Sequence, residues 1–281
     1  MNNAQIKSAS LLLGKIDSGA RNIFLETVNT ENQIAIKIFG NDKMSCVFHS
    51  AVAYERFWIS ISFEADTERY NEELAELVRF SMKKSGFTSA MIWLKNDNRK
   101  IIEYFKKEFQ IPPEGKHYYA SIEFIMRRTC FIPETEENAL DVRQFEEKHI
   151  DKYLDLLDNS FTFTDPPLNF KENKEHYAKR FAELKEENSF EAFWRGSDLI
   201  GLYWRKNAEI DYMAVDVNQQ GKGYGHIILT RAIEMVFENR ADDYAYLYAV
   251  DWNKQGQSFY KKYGMEQNGH SYLLRLNNCT V

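Results

Sequence analysis

The segment Gly221-Lys222-Gly223-Tyr224-Gly225 places three glycines in five residues of a chain that has 13 glycines in 281. Glycine lets a backbone approach a ligand with no side chain in between. The run stands between a strand-like stretch, 208–217, and a helix-like stretch, 226–237. A helix that starts behind such a loop offers unpaired N–H groups and the positive end of its dipole. The chemistry this arrangement suits is phosphate binding. Two familiar versions fail on spacing. A dinucleotide fingerprint would need glycine at 226, where His226 stands, and a Walker loop is absent. An ordinary strand-to-helix turn is the plain alternative.

The flanking elements must position this loop. The strand before it alternates Glu209, Asp211, Met213 and Val215 on one face with Ile210, Tyr212 and Ala214 on the other. Its two carboxylates could act through water as bases, bind a cation, or simply form a solvated face. The helix after it repeats Ile228, Ala232, Met235 and Val236 along one side. A further strand spans 244–250. Asn253 suits the N-cap of a short helix carrying Phe259, Tyr260 and Tyr263, which Gly264 ends.

Gln220-x-x-Gly223-x-Gly225, after a strand and before a helix, resembles the acetyl-CoA loop Q/R-x-x-G-x-G/A of the GNAT acyltransferase superfamily. Asn253, then Phe259-Tyr260-x-x-x-Gly264-Met265, is similar to the family's second signature, an Asn followed by L/F-Y-x-x-x-G-F. Met265 departs from the usual Phe. The resemblance covers about 140–276 and implies roles residue by residue. Backbone N–H groups of Gln220, Gly221, Lys222, Gly223, Tyr224, Gly225 and His226 would cradle the CoA pyrophosphate. Met213, Val215 and Val217, on a splayed strand, would pair with the pantetheine arm. The Met213 N–H would polarise the thioester carbonyl. Asn253 would hydrogen-bond the pantetheine, and Tyr260 would protonate the departing thiolate. Glu209 holds the position of a base glutamate in histone acetyltransferase relatives, and Asp211 is its neighbour. Acetyl-CoA is thus the implied co-substrate, with a small primary amine as acceptor and direct attack in a ternary complex. A non-catalytic CoA sensor, or an enzyme using another acyl-CoA, is the alternative.

The rest of the chain frames that expectation. A strand at 118–126 precedes an acidic, proline-containing segment at 131–139, the expected linker between domains 1–130 and 140–281. A helix is expected over 141–157. The halves repeat one another: Phe39-Gly40-Asn41-Asp42 parallels Arg195-Gly196-Ser197-Asp198, Asn98 parallels Asn253, and Tyr104-Phe105 parallels Phe259-Tyr260. The first-half counterpart of the glycine loop, 64–70, carries Glu64, Asp66 and Glu68 and no glycine, and Phe105 lacks the hydroxyl of Tyr260. The expected fold is therefore α/β (α+β): two GNAT-like domains, each a mixed, mostly antiparallel sheet flanked by helices, the first a degenerate copy. In the fold the resemblance implies, the aromatic segment 161–167 borders the acceptor groove and could line it; a loop tucked onto the core is the equal alternative.

A net charge of −6 argues against nonspecific nucleic-acid binding. Cys46, Cys130 and Cys279 form no CxxC pair, and the six histidines lack metal spacing, so no metal is expected. Leu11-Leu12-Leu13 is too short for a signal peptide or a membrane span, which leaves a cytoplasmic enzyme as the expectation.

Overall fold

The computed structural model describes residues 1–40, 44–112, 118–132, 140–162, 168–239 and 243–277. The first half runs α1 (Asn3–Leu13), α2 (Ser18–Thr27), β1 (Gln33–Phe39), β2 (Cys46–Ala53), β3 (Arg56–Phe63), α3 (Asn71–Ser85), β4 (Ser89–Lys95), α4 (Arg99–Glu108) and β5 (Tyr118–Arg127). The second runs β6 (Asp141–Arg143), α5 (Ile150–Ser160), α6 (Lys174–Glu186), β7 (Phe190–Arg195), β8 (Asp198–Lys206), β9 (Glu209–Val215), α7 (Tyr224–Asn239), β10 (Tyr244–Val250), α8 (Lys254–Tyr263) and β11 (Glu266–Asn277). From α1 to β5 and from α5 to β11 the element types follow the same order.

These residues pack as two compact units with interleaved membership. Met1–Glu123 joins 249–252 and the chain from Gln267 on; Phe124–Tyr248 joins Asn253–Glu266. Compactness therefore divides the chain differently from the contiguous spans 1–130 and 140–281. In the first unit the strand order is β1-β2-β3-β4-β11, with β3 and β4 parallel and the other pairs antiparallel. In the second it is β10-β9-β8-β7-β6, with only β9 and β10 parallel.

Local sequence explains most of the elements. Helix α3 carries Glu72 and Glu73 in its first turn and Lys83 and Lys84 in its last, which complements its dipole. It buries Leu74, Ala75, Val78 and Met82 against the aromatic and aliphatic inner faces of β1–β4. In the second unit α5 and α6 cover one sheet face with a core of Tyr153, Phe170, Phe181, Phe190, Trp194 and Trp204. Helix α7 contacts β8 and β9 and buries Ile228, Leu229, Ala232, Ile233 and Val236.

Three sequence-based expectations change. Asp141–Arg143 is not the start of a helix. It pairs antiparallel with β7, Asp141 opposite Trp194 and Arg143 opposite Ala192, and α5 begins only at Ile150. Three residues are too few to show a period of two, so a tertiary ladder decides their state. Helix α7 starts at Tyr224, inside the glycine segment, rather than at 226. Val217 stands outside β9, because Asp216 begins a turn: its carbonyl accepts the N–H groups of Gln219 and Gln220, and its carboxylate accepts that of Asn218. Residues 41–42, 133–139, 163–167 and Cys279 lie outside the described residues, and with them most of the linker and aromatic-loop expectations.

Candidate acyl-CoA site

Strand β9 has the alternation its sequence carries. Ile210 and Ala214 are buried, Tyr212 packs with them, and Glu209, Met213 and Val215 are half-buried with Asp211 exposed. One edge of β9 pairs with β8 from Val215 opposite Gly201 to Glu209 opposite Lys206, with a bulge that leaves Asp211 unopposed. The other edge meets β10 at a single position, Tyr246 opposite Glu209, supported by the Tyr246 N–H to the Ala208 carbonyl at 3.0 Å. Beyond that point β9 and β10 part company.

The groups that face the opening follow from the ladder. Asp216 donates its N–H to Ile200 of β8 at 2.9 Å. Backbone groups alternate between the two edges, so those of Met213 and Val215 face away from β8, toward the opening. The Val215 carbonyl does so, since it accepts from Ser160 Oγ and from Gln220 Nε2, each at 3.2 Å. The Met213 N–H is thereby aimed into the splayed gap.

The loop ends the gap. Gly221 and Gly223 adopt φ of +76° and +88°, a region that favours glycine. Gln220 spends its N–H on Asp216 and His226 spends its own on Gly223. Among the described residues no backbone acceptor takes the N–H groups of Gly221, Lys222, Gly223, Tyr224 and Gly225. Five donors at the start of a sixteen-residue helix form a ready anion site. Lys222 bends back onto the loop, to the Asn218 carbonyl at 3.0 Å and Gln219 Oε1 at 2.9 Å. The ring of His226 packs on Tyr263, 4.7 Å between centroids, so this residue faces helix α8.

Helix α8 supplies the remaining groups. Asn253 is its N-cap, its side chain accepting the Gly256 N–H at 2.9 Å. Gly264, at φ +98°, ends it in the left-handed conformation. Tyr260 is half-buried against Phe124, 5.5 Å between ring centroids. Desolvation pushes its phenol up to about 12. Among the described residues no group hydrogen-bonds its hydroxyl. The two carboxylates differ: Asp211 is exposed and accepts the Trp204 indole N–H at 3.0 Å, whereas Glu209 is half-buried with the Tyr246 hydroxyl at 3.5 Å.

Two features escaped the sequence reading. Arg195, at the β7–β8 turn, lies over the Tyr224 ring, 5.1 Å from its centroid. Beneath β8, the buried Glu191 accepts the Tyr203 hydroxyl at 2.7 Å and both Nε and a terminal nitrogen of Arg231 at 3.1 Å. Burial and the Glu191 charge raise the Tyr203 phenol well above its ordinary value. Tyr203 stands directly opposite Met213, so this cluster fixes the strand that carries the candidate donor. Neither feature has a spacing signature, since each joins residues far apart in sequence.

The corresponding place in the first unit is built differently. Strands β3 and β4 stay in register over four pairs, from Trp58 opposite Met91 to Ile61 opposite Leu94. In the loop after β3, Asp66 accepts the Lys100 N–H at 3.3 Å, close to the start of α4. The opening of the second unit is not repeated there.

No helix among the described residues is long and apolar enough to cross a membrane, and among them no group of three or more His, Cys, Asp or Glu could hold a metal.

Comparison with known proteins agrees with this architecture. The chain is similar in fold to a GCN5-related N-acetyltransferase from Sphaerobacter thermophilus, at TM-score 0.60 and 9% identity over 99% of this chain and 94% of that one. A Drosophila protein matches at 0.60 and 11% identity, over 99% and 97%. A GCN5-related N-acetyltransferase from Kribbella flavida matches at 0.54 and 8%, over 95% of each chain. At these identities the likeness is one of fold. No curated protein matches the sequence. The model of the acetyltransferase (GNAT) family matches residues 144–265, a span that holds β9, the glycine loop, Asn253 and Tyr260. Residues 144–265 are thus similar to the acetyltransferase (GNAT) family, and the fold of the chain is that of GCN5-related N-acetyltransferases.

Proposed function

We propose that the second unit is an N-acetyltransferase that moves an acetyl group from acetyl-CoA to the primary amine of a small acceptor. The observation that carries this reading is the single-position pairing of β9 with β10 in front of five unpaired N–H groups. A splayed edge that ends on an anion site fits a long pantetheine arm with a pyrophosphate at one end. In the reading, the N–H groups of 221–225 take the pyrophosphate, and the edge of Met213 and Val215 pairs with the pantetheine amides. Asn253 contributes a further hydrogen bond from its cap position. The Met213 N–H polarises the thioester carbonyl as negative charge develops on its oxygen.

Attack by the neutral amine forms the new C–N bond and expels the CoA thiolate, with both substrates held in one cleft. Tyr260 gives its proton to that sulfur. Its desolvated phenol stays protonated at every pH the protein would meet, which an acid for this step requires. Glu209 or Asp211 receives the amine's proton through water. The half-buried Glu209, at the closed end of the splay, is the better placed of the two.

The test is thiol release from acetyl-CoA across a panel of amines, with Tyr260→Phe as the diagnostic variant. Expected is a fall in kcat of about 10²-fold or more with CoA affinity unchanged. Because the phenol lies near 12, the pH profile of the wild type should show no limb from it below about pH 11. Normal turnover in Tyr260→Phe would remove the assigned acid. CoA binding without thiol release for any amine would favour the sensor alternative.

A further inference from the structure

The geometry points to Arg195 as the residue that recognises the 3′-phosphate of the nucleotide and so selects CoA over its 3′-dephospho form. This rests on the acyl-CoA reading of the site and adds a specificity residue that neither signature contains.

The argument is electrostatic. Arg195 closes strand β7 at the turn made by Gly196, whose φ is +61°. Its guanidinium lies over the ring of Tyr224, the first residue of α7. The positive end of that helix is already there, with its unpaired N–H groups. A cation set against the N-terminus of a helix is unfavourable by itself. Among the described residues the exposed Arg195 has no carboxylate partner. Its cross-strand neighbour Asp198 accepts the Ser197 hydroxyl at 3.3 Å instead. The other loop cation, Lys222, is committed to Asn218 and Gln219. The Asp216 carboxylate is committed to the Asn218 N–H at 2.8 Å.

This imbalance disappears when a polyanion arrives. CoA carries a pyrophosphate and, on its ribose, a separate 3′-phosphate with about two further negative charges near neutral pH. Five N–H groups suffice for the pyrophosphate. The 3′-phosphate then needs a cation outside the loop, with a planar fork that can take two oxygens at once, which arginine provides and lysine does not. Resting on Tyr224 keeps the guanidinium beside the loop while it waits for its ligand.

The experiment compares CoA with 3′-dephospho-CoA by calorimetry on the full chain, for the wild type, Arg195→Ala, Arg195→Lys and Lys7→Gln. Lys7 is an exposed cation on α1 and controls for net charge. Expected for the wild type is about tenfold tighter binding of CoA than of the dephospho form. Arg195→Ala should bring that ratio close to one by weakening CoA alone, Arg195→Lys should fall between, and Lys7→Gln should keep the wild-type ratio. An unchanged ratio in Arg195→Ala, or a wild type that does not discriminate, would overturn the role of Arg195 and leave the acyl-CoA reading standing. A wild type that binds neither compound would sink the acyl-CoA reading, and this inference with it.

Discussion

Single residues carry both the chemistry and one clear liability. Asp17 caps α2 through the Ala20 N–H at 2.9 Å and is fully buried. Burial, then the charge of Glu123, raises its carboxyl to about 7. Glu123 is itself raised by burial and is held by the Ser18 N–H and the Asn268 amide. The sign follows from linkage. The folded state holds a proton that the unfolded chain gives up near 3.8, so this group's stabilisation is complete below about pH 4 and is lost as pH rises to about 7. Asn caps as well as Asp and does not ionise. Asp17→Asn should therefore raise the unfolding free energy at pH 8 by an amount on the order of 2 kcal/mol, seen as a higher melting temperature, and do little at pH 4. Equal effects at both pH values would contradict the buried-proton account. Glycine spacing, the Asn253 cap and the phenol of Tyr260 were visible in the sequence, because each is a local rule about one backbone position or one hydroxyl. Asp17, Glu123 and Asn268 were not, because their meeting is set by packing alone.

Between elements, what matters is how far two strands agree to pair. β9 and β10 share one register position, and β3 and β4 share four. The alternation within β9 could be read from its residues, but its separation from β10 could not, since neither strand's sequence states where a parallel ladder stops. The contrast leads to a stoichiometry: titration with CoA should give one site per chain, and a second site of similar affinity would mean that the first unit also opens. Behind β9, the Glu191–Tyr203–Arg231 cluster ties β7, β8 and α7 together. Glu191→Ala leaves the Tyr203 hydroxyl without its partner and Arg231 with only the longer pairs to Glu234 and Glu238, at 3.9 and 4.0 Å. The expected loss is about 3 kcal/mol, at the low end for a broken buried pair because Arg231 keeps 34% of its side chain exposed. Chemical denaturation would measure it. A loss below about 1 kcal/mol would mean the cluster does not brace the site.

At the scale of the molecule, the interleaving of the two units is the feature the halves' repetition did not foretell. The repeat correctly suggests matching element orders but not that β11, from the second half, pairs with β4. Gly269 makes that placement possible: a Cβ there would come within 2.5 Å of the Ile16 carbonyl and 3.0 Å of the Asp17 Cα, both backbone atoms that cannot swing aside. Gly269→Ala should cost about 1–3 kcal/mol. Although the substitution lies far along the chain, hydrogen exchange should show protection lost first in β2, β3 and β4. Uniform loss across both units would contradict that. The same placement bears on synthesis. The edge of β4 that β11 will occupy leaves the ribosome long before its partner, roughly 9–36 s earlier at ~5–20 residues per second. Through that interval the nascent first half presents an unpaired strand edge, Ser89–Lys95, to whatever is nearby. Chaperone cover during translation, rather than the stability of the finished protein, would then govern how much of this chain reaches its native state.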